Sequence, residues 1–151
     1  MKSLEWPHTQ SKRGWNQIDE WIRNRMHGHS TCQSGIKVNP RNRWPKRVLA
    51  VGEKNDPNIR VCETSTLEFS SLAYITLSHC WGHFVPTQLL IENCSGFLQG
   101  IETDNLPSTF KDAVEVTKKL EIGYLWIDSL CIIQNSPEDW ANESSKMDSN
   151  L

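Results

Sequence analysis

The chain has 151 residues, a length that fits one domain burying about two-thirds of the surface its unfolded form exposes, and its seven tryptophans need a core or a partner to cover them. These features exclude a disordered chain. The net charge of −2 hides an asymmetry, because residues 1–47 carry ten Lys and Arg against three acids whereas residues 48–151 carry six against fifteen.

The basic residues of the first part are scattered and form no groove-reading motif, so attraction between a basic arm and an acidic body is the simpler reading. No nucleic-acid partner is expected. In chain order, Trp15, Ile18, Ile22 and Met26 fall at helical spacing and predict a first helix over residues 15–26, with Gly28 as its stop. Residues 30–46 hold Gly35, Pro40 and Pro45 with little periodicity and read as a connecting loop. Residues 47–52 (RVLAVG) and 59–63 (IRVCE) flank the turn sequence KNDPN and predict a β-hairpin.

Residues 73–78 (AYITLS) predict the next strand, leaving through Gly82, and a short helix is expected near residues 87–93. From Pro107 to Leu120, Phe110, Ala113, Val114, Thr117 and Leu120 share one helical face. Pro107 suits the first turn of that helix and Gly123 the left-handed position beyond its end. Tyr124 to Ile127 (YLWI) is a continuous apolar run, as in a strand covered on both faces of a parallel sheet. Ser136 then serves as N-cap for a last helix running to about Met147, with Pro137 in its first position and Asp139 three residues after the cap.

The five cysteines are odd in number and dispersed, so they predict no disulfide framework. There is neither a secretory leader nor an apolar run long enough to cross a bilayer, and the expectation is a cytoplasmic protein with no membrane partner. His27, His29 and Cys32 form H-x-H-x-x-C without a fourth ligand at standard spacing, so no metal is assigned. Gly-rich phosphate loops, His-Glu-x-x-His and a nucleophile elbow are also absent from the sequence.

Ligands in open α/β sheets sit beyond the carboxyl ends of the strands. If the strands at 73–78 and 124–127 are parallel neighbours, Ser78, His79, Trp81 and Gly82 from one share an edge with Asp128, Ser129 and Cys131 from the other. His79 can carry a proton, Asp128 can cap the following loop or enter a site, and Trp81 can stack on a planar ligand or join the core. On the last helix, Trp140, Glu143, Ser144 and Met147 share a stripe with Glu143 near its middle. A carboxylate there works in a site, bonds a backbone amide, or lies at the rim of the stripe and reaches out to water. Cys131 with His79 is a thiol-nucleophile alternative, against the commoner buried, inert cysteine.

YITLSHCWG, LPSTFKDAVEVTKKLEIGYLWIDSLCIIQ and EDWANESSKM, in that order, closely resemble the fungal heterokaryon-incompatibility (HET) domain. The resemblance implies an intracellular effector of self/non-self recognition that triggers growth arrest or programmed cell death when incompatible strains fuse. It also implies a TIR-like, flavodoxin-like α/β fold: here a partial open parallel sheet with a helical N-terminal extension, residues 1–46, before a HET domain portion at 47–151. Some TIR domains cleave NAD at the nicotinamide–ribose bond with a helix glutamate, and Glu143 matches that position. On this reading Glu143, Asp128 and His79 are catalytic, Ser78, Trp81, Gly82 and Ser129 contact the nucleotide, and NAD is the substrate. The alternative is a non-enzymatic module that oligomerises, or meets an incompatibility partner, and relays a death signal. The chain departs from the family in having His79 where Tyr is common and Asn135 where Asp is common, and it ends before the family's usual continuation, so a truncated domain is expected.

Overall fold

A computed structural model describes residues 11–28, 44–68, 73–80 and 87–148. The chain divides into two compact units, residues 1–39 and 40–151. The first contains helix α1 (Lys12–Gly28), whose start is capped by Ser11 Oγ accepting the Gly14 N–H at 3.1 Å. Arg23 and Asp19, one turn apart, form an exposed ion pair on it. Of the zinc-like trio, His29 and Cys32 lie outside the described residues, as do Trp81 and Gly82.

The second unit is a mixed α/β domain around one open sheet of five strands: β1 (Arg47–Ala50), β2 (Asn58–Glu63), β3 (Tyr74–Leu77), β4 (Ile101–Glu102) and β5 (Tyr124–Ile127), in the spatial order β3-β5-β1-β2-β4. The α/β class and the hairpin agree with the sequence. β1 and β2 pair antiparallel from Arg47↔Glu63 to Ala50↔Arg60. Their turn is closed by Asp56, whose N–H donates to Glu53 O and whose Oδ1 accepts the Asn58 N–H at 2.9 Å. Gly52 has φ +70°, and a Cβ there would lie 2.6 Å from Asp56 Oδ2, so both the backbone angle and the close approach require glycine.

β3 and β5 are parallel neighbours in the register Tyr74↔Tyr124 to Leu77↔Ile127, as expected of strands joined by a helical crossover. The other pairs correct the expectation of a parallel sheet, because β1 is antiparallel to both β2 and β5, and β4 is antiparallel to β2. The hairpin lies beside β5 as a unit, and a two-strand hairpin is necessarily antiparallel. The short helix expected at residues 87–93 forms later, as α2 (Cys94–Gln99).

Helix α3 (Ser108–Lys119) buries Phe110, Val114 and Thr117, the face its periodicity predicts. Its end differs from expectation. Glu121 takes the left-handed position with φ 56°, its N–H donating to Lys118 O while the Ile122 N–H donates to Thr117 O, each at 3.1 Å. This is a Schellman closure with the left-handed residue directly after the last turn, two positions earlier than Gly123. A single turn, α4 (Asp128–Cys131), follows β5, and α5 (Pro137–Asp148) completes the order, with Ser136 Oγ accepting the Asp139 N–H at 3.3 Å as the sequence predicts. The apolar core is built from Val48, Leu49, Ile59, Val61, Phe110, Val114, Leu125, Ile127 and Leu130 among others. Trp44 packs on Tyr74 at 4.8 Å and on Tyr124 at 6.3 Å between ring centroids.

Candidate functional site

The parallel pair delivers its following residues to a common edge. Past Leu77, Ser78 and Cys80 are exposed and His79 is half-buried, its ring edge-on to Phe110 with centroids 5.0 Å apart. Past Ile127, the Asp128 carboxylate caps its own turn by accepting the Ser129 N–H at 2.7 Å. Ser129 itself is fully buried, and its carbonyl accepts the Leu89 N–H at 2.7 Å. Gln134 closes the segment by donating its side-chain amide to Asp128 O and Ile132 O, both at 3.0 Å. The polar end of the IDSLCIIQ motif is thereby fixed in place.

Three side chains around this edge keep polar atoms that are shielded from solvent and have no hydrogen-bond partner among the described residues. They are both ring nitrogens of His79, Ser129 Oγ and Trp126 Nε1. Unpaired buried polar atoms are costly and therefore uncommon in folded proteins. Cys131, the alternative nucleophile, is fully buried, and burial pushes its thiol up to about 12, which keeps it protonated and unreactive at neutral pH.

Glu143 lies on the inward face of α5 and is only 2% exposed. Its two carboxylate oxygens accept the Lys46 N–H at 3.1 and 3.0 Å, and Oε1 also accepts Lys146 Nζ at 3.0 Å. One turn earlier, Asp139 is 5% exposed and takes a two-pronged contact from Arg47 at 2.7 and 2.8 Å. It also accepts Lys46 Nζ at 3.0 Å and the Ile133 N–H at 2.9 Å. Arg47, 3% exposed, donates in addition to Cys131 O at 3.1 Å. The stripe expected on α5 is corrected at Trp140, which is 53% exposed; among the described side chains of the helix the buried ones are Asp139 and Glu143.

Burial pushes the Asp139 carboxyl up, but the hydrogen bonds from Arg47, Ile133 and Lys46 outweigh it and hold it well below the usual carboxylate range. For Arg47 burial works against the charge, and Asp139 again reverses the balance and raises it. Tyr74 is raised by burial and then by the Glu143 charge. Burial leads in raising the Cys131 thiol; the Ile127 backbone and Arg47 oppose it, and the charges of Glu143 and Asp128 add to it. Among the described residues, no hydrogen bond joins Glu143 to Ser78, His79, Asp128 or Ser129.

Lys46, Arg47 and Asp139 complete the arrangement; sequence reasoning read them as a strand entry and a first-turn acid and gave them no part in a site. The available signals were an arginine opening an apolar strand and a carboxylate four residues before Glu143 on one helical face. Among the described residues no group of three or more His, Cys, Asp and Glu gathers as a metal site, and no helix is long and apolar enough to cross a membrane.

An open mixed sheet with polar groups beyond a parallel strand pair, flanked by a helix bearing buried carboxylates, defines an α/β domain with its motifs at the strand ends. Residues 74–149 match the family model described as heterokaryon incompatibility protein (HET), and the chain belongs to that family. A HET domain points to a role in fungal heterokaryon incompatibility. No curated protein and no solved structure matches the chain.

Proposed function

We propose that the chain is an effector of self/non-self recognition that works in the cytoplasm and triggers programmed cell death through protein contacts, with itself or with an incompatibility partner. The observation that supports contact over chemistry is the seal on Glu143. A carboxylate that binds a ribose or faces a developing oxocarbenium must touch it. Both oxygens of Glu143 are instead occupied by the Lys46 N–H, and the side chain is 2% exposed. The test is co-expression in compatible and incompatible strains, with nicotinamide release from NAD followed in parallel on the purified chain. Death signalling that persists in a folded Glu143→Gln variant, without nicotinamide release by the wild type, is the expected result. Release by the wild type that Glu143→Gln abolishes would overturn it.

A second reading, a TIR-like NAD glycohydrolase, draws its support from the strand edge. There the ring nitrogens of half-buried His79 are unpaired, and a nucleotide would supply their missing partners. Under this reading His79→Ala lowers nicotinamide release while the fold is kept.

A further inference from the structure

Helix α5 is built inside out. Among its described side chains none joins the apolar core, and the two it buries are carboxylates. What they meet is cationic or N–H bearing: the Lys46 backbone and ammonium, the Arg47 guanidinium, the Ile133 N–H and Lys146 of the helix itself. Arg47 is also tied to the backbone, donating to Cys131 O at 3.1 Å. Apolar burial is non-directional and offers no partner that a competing charge could take over. A clasp of charges differs, because desolvation cancels much of its Coulomb energy and water or another set of charges can replace each partner on opening.

We propose that α5 is a releasable latch, held shut by the clasp of Lys46, Arg47 and Lys146 on Asp139 and Glu143, and that it opens as a unit while the sheet stays folded. No described side chain of α5 belongs to the apolar cluster that holds Leu49, Leu125 and Ile127, so opening α5 removes none of its members. Opening uncovers Glu143, Asp139 and Arg47 together, which changes the charge pattern that a partner meets. The inference rests on the contact reading for its biological use, whereas the opening itself is a property of the fold.

Native-state hydrogen exchange on the full chain, in urea below the global transition, tests it. Amides of residues 141–146 are expected to exchange through one common opening at least tenfold faster than those of residues 125–127. Asp139→Asn should accelerate α5 by a further tenfold or more, whereas Ile59→Val, a change in the sheet core that α5 does not touch, should accelerate β5 and leave α5 where it was. The paired change Arg47→Met with Asp139→Leu, which replaces the clasp by apolar contact, should slow it. Should Asp139→Asn not fold, Lys146→Ala at the half-exposed rim gives the same reading in milder form. Exchange of α5 in step with β5, or acceleration of α5 by Ile59→Val as large as that of β5, would overturn the latch. Loss of the latch with intact death signalling leaves the contact reading standing, and an opening helix in a protein that relays no signal does the reverse.

Discussion

Asp139 concentrates the energetics of the domain in one side chain. It accepts four hydrogen bonds, two from Arg47 and one each from Lys46 and Ile133, at 2.7 to 3.0 Å. Its partner is 3% exposed, so removing the acid strands a buried guanidinium, and Asp139→Asn should cost about 3–5 kcal/mol in urea denaturation at neutral pH. The sign of the pH dependence follows from the depressed folded value. The contribution is complete above the unfolded aspartate value of roughly pH 4 and is lost as pH falls below it. The wild type should therefore lose stability steeply below that point, and Asp139→Asn should flatten this acid limb. None of this was legible locally, because Arg47 and Asp139 are 92 residues apart and each has an ordinary local reading, as a strand opener and as a first-turn acid. Glu143 was legible as a carboxylate on the apolar stripe, and of the roles open to such a group the hydrogen bonds from the Lys46 amide match backbone bonding.

Elements with a clean period were read correctly from sequence. The face of α3 and the apolar run of β5 each follow from side-chain spacing, and both are buried where expected. β4, at two residues, is too short to carry a period, and its pairing with β2 exists only in three dimensions. The end of α3 was misplaced because glycine is the usual left-handed residue and Gly123 stood nearby, yet hydrogen-bond closure selected Glu121. That choice carries a backbone cost, so Glu121→Gly should stabilise the domain by up to about 1 kcal/mol, read as a raised melting temperature. At the hairpin turn the opposite holds. Gly52→Ala adds a Cβ against Asp56 at positive φ and should destabilise by about 1–2 kcal/mol in the same measurement.

At the scale of the whole domain, β5 is the strand on which the sheet depends, since it lies between β3 and β1 and pairs with both. A chain ended after Gly123 keeps the hairpin and α3 but loses the partner of two strands. It should show no cooperative urea transition by circular dichroism, and a sharp transition in that fragment would refute the central role given to β5. The strand order has a consequence for biosynthesis as well. β1 is made early, yet its second neighbour leaves the ribosome some 75 residues later. Until then the open flank of β1 is a template for any extended segment nearby, and the nascent chain has reason to be shielded by a chaperone during that interval.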